Sequence, residues 1–412
     1  MNGRLAQSSL QTSLVLGLRV VTQAIVLVLL ARLLGPGLYG NFAAVASLAV
    51  VLGLIPNLGA GFVMLARSVR DESGIAEVWR YAWPVTGLLG FLLLALYVVA
   101  GSFITNPQLP VHVLLLLGAA ELLVTPFTLL LSFALQARDK VPLSQLVLWI
   151  PLGLRVLAAL PCFLLDQAER ISAYVALQLL VSLLGAGLGF LIIRRHVRLD
   201  WRPRRPTRAE LRDGGSYAAM HLVAANPSEL DKIIAVRAIG AHDAGIYAAT
   251  SRAMAATVMP VVALLLSSQP RLFKFAFKPT HEGRRLVTLI AILALGWGLG
   301  SGALLVLCSP LLPVLFGQSF SATATLMPWL AMVAPFLSLR LAAGTILAAL
   351  GRPLERIAFE LGGMLVLTAG MLLLAPHFGV RGLATALLIS EATMATSGWL
   401  LAIRRLPVGI PG

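Results

Sequence analysis

ARLLGPGLYGNFAAVAS at residues 31–47 returns in register as VRAIGAHDAGIYAATSR at residues 236–252. The offset is constant and free of gaps. Arg32 meets Arg237, Gly35 meets Gly240, Gly40 meets Gly245 and Phe42 meets Tyr247, and two alanine pairs follow. Glycines five apart suit a tight turn between helices, where the backbone must reach conformations that other residues avoid. Arg32, Gly35, Gly40, Arg237, Gly240 and Gly245 are therefore read as structural turn residues. Each block closes an odd-numbered apolar run, so the chain reads as two halves of like orientation, a parallel repeat. A fainter echo pairs LQARDK (135–140) with LGRPLER (350–356), each after the fourth run of its half.

The composition fixes the class. Of 412 residues, 58% are hydrophobic and only 12% charged. A soluble domain carries about twice that charged share, so this is an all-α polytopic membrane protein. The net charge of +15 would point to nucleic acid in a soluble chain. Here basic residues holding the cytoplasmic ends of membrane helices explain it better, and no nucleic-acid partner is expected. Cys162 and Cys308 have no metal-ligand spacing and read as free thiols, with a disulfide as the other reading.

Apolar runs of about 20 residues mark transmembrane helices. Twelve are counted, at roughly 10–33, 41–66, 82–102, 111–136, 142–165, 171–193, 215–239, 244–269, 286–308, 322–350, 354–375 and 380–403. The first run lacks a small-residue cleavage site and is read as a span, not a signal peptide. Of the 32 basic residues, 23 lie in one alternating set of loops, four in the other, and five inside spans. By the positive-inside rule both termini are cytoplasmic, as an even number of spans also requires. The expected architecture is two six-helix lobes, 1–193 and 215–412, joined by a basic linker at 194–214. That linker, with eight arginines and Trp201, reads as an anchor between halves, with contact to anionic headgroups as the other reading.

The five cations inside spans are Arg19, Arg155, Lys232, Arg252 and Arg340. A charge near the bilayer centre costs several kcal/mol, so these side chains should face a wet cavity or a partner, and the obvious partner is an anion. Ser8, Thr12, Arg19 and Gln23 lie on one face of the first span, at steps of four, seven and four. Tyr217, His221, Ser228 and Lys232 repeat those steps in the seventh. Arg19, Arg252, Lys232, Arg155, Arg340, Gln23 and Ser228 are the substrate-binding candidates. NPSELDK (226–232) puts Pro227 inside the seventh span, where a lost hydrogen bond makes a hinge, and broken helices beside charges often mark transport sites. Asp231, Glu229, Glu121 and Glu391 are the ion-coupling candidates, since buried carboxylates can carry protons or pair with the buried arginines. Glu360 and Glu121 also suit plain ion-pairing.

Several motifs fail. GAGLG (185–189) and GWGLGSG (296–302) lack a strand–helix context and read as small-residue helix packing. There is no phosphate-binding loop of an ATPase, no zinc-protease motif and no catalytic constellation. A secondary transporter is expected, not an enzyme, with no cofactor and no metal.

ARLLGPGLYGNFA after a first span, LDKIIAVRAIGAHDAGIYAATSR, LGRP at 350–353 and FGVRGLATA at 378–386 together resemble the Wzx-type polysaccharide flippases. These belong to the multidrug/oligosaccharidyl-lipid/polysaccharide (MOP) exporter superfamily. The resemblance runs nearly the whole chain in order and spacing. It implies two six-helix lobes in the bacterial cytoplasmic (inner) membrane. It implies transfer of an undecaprenyl-pyrophosphate-linked oligosaccharide, such as an O-antigen or exopolysaccharide repeat unit, between leaflets. A proton or sodium gradient would supply the energy. The implied partners are that lipid-linked glycan, membrane lipids and polysaccharide polymerase machinery. The pyrophosphate would suit arginine forks. The same superfamily holds cation-coupled small-molecule (multidrug) exporters, the competing reading, against which the buried cations argue.

Overall fold

The structure, a computed structural model, describes residues 2–68, 74–105, 108–225, 227–277 and 281–406. The side chains of 2–10, 12, 13, 220, 221, 223–225, 227, 228, 270, 273–277, 281 and 282 lie outside that description. The described residues form helices and no strand. In order these are α1 (Asn2–Gly53), α2 (Ala60–Ser68), α3 (Gly74–Ile104), α4 (Val111–Ala119), α5 (Thr125–Gln136), α6 (Val141–Cys162), α7 (Gln167–Ile193) and α8 (Arg208–Ala225). There follow α9 (Pro227–Ile239), α10 (Ala241–Thr257), α11 (Met259–Phe277), α12 (His281–Cys308), α13 (Leu312–Phe316), α14 (Ala322–Ala331), α15 (Ala334–Ala349) and α16 (Pro353–Arg405). The chain divides into two compact units, Met1–Ala225 and Asn226–Gly412.

Several helices carry apolar residues outward as well as inward. On α3, Leu88, Leu92, Leu96, Val99 and Phe103 form an exposed stripe at helical spacing. The opposite face, Thr86, Gly90, Tyr97 and Gly101, is buried. In lipid an apolar face gains little by burial, so small and polar residues can take a helix interface, as they do on this face of α3. Gly90 allows the closest approach, because a Cβ there would collide with the Leu122 carbonyl oxygen. Among the described residues, seven helices are long and apolar enough to cross a membrane. The number is nine if each of two bent pairs makes one span.

The repeat is visible in the backbone. Gly35 (φ 69°, ψ 170°) breaks α1, and Gly240 (φ 82°, ψ 163°) precedes α10. The two glycines matched in sequence thus adopt the same glycine-only conformation. Gly40 and Gly245 do not. They are buried within α1 and α10, so the expectation that they shape the turn is corrected: one glycine per half makes it. Near the fainter echo both halves end a helix in the same cap, at 135–140 and at 347–352, the second beginning three residues before the quoted LGRPLER. Lys140 N donates to Leu135 O at 3.0 Å, and Arg352 N to Leu347 O at 2.9 Å. The residue before each has a positive φ, 58° at Asp139 and 72° at Gly351. These are matching Schellman-type caps.

Several expected spans are interrupted. The run at 41–66 leaves helix after Gly53 and resumes at Ala60. There Asn57 Nδ2 donates to Pro126 O, and Thr86 Oγ1 donates to Asn57 Oδ1. The run at 111–136 contains a π-helical turn, Ala120–Val124. The runs at 244–269 and 322–350 bend by 40° between α10 and α11 and by 45° between α14 and α15.

Candidate functional site

Each unit buries its own set of charges. In the first, the π-helical turn projects Glu121 between α3, α6 and α7. Arg155 Nη2 forms a salt bridge with Glu121 Oε1. Gln178 Nε2 donates to the same oxygen at 2.8 Å, and Thr125 Oγ1 to Oε2 at 3.3 Å. Extra-residue π turns recur at functional sites, and here the extra residue re-aims one carboxylate at two helices. Arg155 Nε, Gln178 Oε1, Ser182 Oγ and the Tyr97 hydroxyl are buried with no protein partner among the described residues. Such groups ordinarily bind ordered water. Gln178 and Ser182 stand four apart on α7, a spacing that sequence reasoning passed over.

In the second unit, Asp231 and Lys232 on α9 are 1% and 5% exposed. Lys232 Nζ pairs with Asp231 Oδ1 at 3.0 Å, and the Tyr247 hydroxyl donates to Asp231 Oδ2 at 2.9 Å. Tyr247 is the repeat partner of Phe42, so the polar contact exists in one half only. On α15, Arg340 Nε donates to Glu391 Oε2 at 2.7 Å, and Arg340 Nη1 lies 4.0 Å from Glu360 Oε1. Arg356 Nε reaches the same Glu360 oxygen at 3.2 Å. Gly344 admits this pair, since a Cβ there would lie 3.2 Å from Arg356 Nε. Three carboxylates and three cations therefore face one another inside this unit.

The candidates so divide. Arg155, Lys232 and Arg340, expected at the substrate, each hold a carboxylate of their own unit, and those carboxylates are the coupling candidates Glu121, Asp231 and Glu391. Glu360, expected as an ion-pair partner, is one. Arg19 is half-buried on α1 and makes no ion pair among the described residues. Gln23, one turn on, is exposed, while the neighbouring Thr22 Oγ1 accepts a hydrogen bond from Trp149 Nε1 at 3.0 Å. Arg252 is half-buried on α10, and Glu229 half-buried on α9. Tyr217, expected on a polar stripe, stacks on Phe62 with centroids 5.3 Å apart. Pro227 opens α9. The side chains of Ser8, Thr12, His221, Ser228 and Pro227 lie outside the description. Among those described, no group of His, Cys, Asp and Glu could hold a metal ion.

Residues 5–276 match the family model of polysaccharide biosynthesis proteins. No curated protein matches the chain. Solved structures do. An inward-facing multidrug resistance MATE family transporter of the MOP superfamily superposes with a TM-score of 0.80 at 14% identity, covering 94% of each chain. An outward-facing one gives 0.69 at 14% identity, over 97% of this chain and 95% of that one. A MOP superfamily transporter from Pyrococcus furiosus, described as having a binding pocket of reversed polarity that suggests a different function, gives 0.70 at 14%, over 97% and 95%. At such identities the likeness is one of fold, and the fold is that of MOP-superfamily transporters.

Proposed function

Because the chain belongs to the polysaccharide biosynthesis protein family, we propose that it is a flippase. Its substrate would be an undecaprenyl-pyrophosphate-linked oligosaccharide, carried across the bacterial inner membrane by ion-coupled alternating access. The observation that carries the reading is Arg19, a membrane-embedded guanidinium without a carboxylate partner among the described residues, while Arg155, Lys232 and Arg340 have theirs. An unneutralised cation in lipid calls for an anion, and a pyrophosphate supplies oxygens that a guanidinium fork fits. Arg252 is the candidate for the same role in the second unit, and Gln23 and Ser228 are the candidates for contact with the sugars. The paired arginines and Lys232 become available only when their carboxylates are protonated or bind a cation. That links substrate to ion through Glu121, Asp231 and Glu391, with Glu229 nearby in sequence and Pro227 as the hinge. The proposal includes twelve spans in two halves with both termini cytoplasmic.

The test is charge removal. Arg19→Gln and Arg252→Gln should each abolish surface glycan while protein levels stay unchanged. Glycan display surviving both substitutions would overturn the mechanism. Native mass spectrometry of the purified protein should find a co-purifying polyprenyl-pyrophosphate glycan. The fold likeness to multidrug transporters favours a second reading, cation-coupled export of small molecules (multidrug export). Resistance to cationic dyes on overexpression, with unaltered glycan, is its signature.

A further inference from the structure

The segment 194–213 is no free tether. Trp201 inserts among aromatic rings of the first unit, with centroids 5.3 Å from Trp79, 5.7 Å from Phe190 and 5.8 Å from Trp83. Val197 is buried and Leu199 packs on the same core. The backbone is pinned too, as Arg204 N donates to Arg80 O at 3.0 Å and Arg80 Nε to Arg202 O at 3.2 Å. Arg204 turns inward, over the Tyr81 ring at 5.2 Å, and its Nη2 pairs with Glu210 Oε1 at 2.7 Å. Arg67 pairs with the same oxygen at 2.8 Å.

The charges left over matter more. The segment has three acids, and each is engaged: Asp200 by Arg80, Glu210 by Arg204 and Arg67, and Asp213 by Arg212. Arg194, Arg195, Arg198, Arg202, Arg205 and Arg208 are exposed, and none makes an ion pair among the described residues. They follow directly from α7, an apolar span ending at Ile193. The rings that hold Trp201 belong to α3 and α7, so the strap lies level with the ends of membrane-crossing helices. Trp201 itself remains 42% exposed, the half-inserted state of an interfacial tryptophan.

We propose that this docked strap is a binding surface for the anionic phospholipid headgroups of the adjoining leaflet. At this level the first anions within reach are lipid phosphates, and guanidinium groups fit their oxygens. The conformational entropy of ordering the arginine-bearing backbone is spent in folding, so little more is lost on binding. A nucleic-acid surface would have no use for a tryptophan anchored in apolar spans.

The test uses the full-length protein in lipid nanodiscs of mixed phosphatidylglycerol and phosphatidylcholine, with retained lipids counted by native mass spectrometry after detergent extraction. The wild type should keep phosphatidylglycerol in preference, and the preference should collapse in high salt. Combined Arg202→Gln, Arg205→Gln and Arg208→Gln should reduce it several-fold while leaving the Arg204–Glu210 clamp intact. Trp201→Ala keeps every charge but frees the strap, and should reduce it as well. A preference that survives high salt in the wild type overturns the proposal, as does one that survives the triple substitution. An undiminished preference in folded Trp201→Ala would leave bulk charge as the cause and also overturn it. So would preferential capture of a short RNA over phosphatidylglycerol vesicles. None of these readouts depends on what the protein transports.

Discussion

Arg340 and Arg19 are both arginines within apolar sequence, and their removal should have opposite signatures. Arg340 is 3% exposed and faces Glu391 and Glu360. Arg340→Ala strands buried carboxylates and should cost about 3–5 kcal/mol, read as a lowered unfolding temperature in detergent. Adding Glu391→Gln should recover part of that loss. Arg19→Gln strands nothing and should leave the unfolding temperature unchanged while transport fails. The sequence displayed both cations equally. Their difference lies in a partner 51 residues away for Arg340, and no local pattern encodes such a pairing. Glu210 gives a second residue-scale prediction. Burial raises its pKa, but hydrogen bonds from Arg204 and Thr207 outweigh this and hold the carboxyl below the usual 4.5. A depressed folded-state value stabilises the protein above the unfolded pKa, and that stability is lost as pH falls through the folded value. Glu210→Gln should therefore cost about 1.5–3 kcal/mol at neutral pH. The gap to wild type in thermal unfolding should close on acidification.

Helices and turns were more legible than partners, because glycine and proline write backbone geometry into local sequence. The Gly35 and Gly240 turns follow from the repeat, and the structure gives them the same φ and ψ to within about 15°. Ala at either position should cost about 1–3 kcal/mol, and the two penalties should agree, as measured by denaturation of the purified variants. Unequal penalties would mean that the halves use the turn differently. The interruptions at 54–59, 257–259 and 331–334 went unread, although each has a proline at hand: Pro56, Pro260 and Pro335. Hydropathy windows average over such residues. A helix can bend at proline and stay apolar, so length and apolarity merge or split spans without marking the bend.

The same averaging governs the whole molecule. Among the described residues seven helices pass the test of length and apolarity, yet two of them, α1 and α16, each contain a non-helical glycine, Gly35 and Gly379. α8 carries Arg208, Glu210, Arg212 and Asp213, and α9 has only 13 residues, so neither is among the seven. Charge inside a span hides the span from a hydropathy scale, and under the proposed function that charge would meet an anionic headgroup. Orientation therefore rests on the loops, where basic residues collect on one side. A C-terminal fusion to green fluorescent protein, which matures only in the cytoplasm, should fluoresce, and the matching alkaline phosphatase fusion should be inactive. A phosphatase fused after Ile239 should be active, and one fused after Arg212 silent, because the proposed seventh span lies between them. If the fusion after Ile239 is silent, α8 and α9 do not cross. The span number is then odd, and the C-terminal fusion must invert as well. The two measurements thus check each other, and by the positive-inside rule the basic strap at 194–213 is expected on the cytoplasmic side.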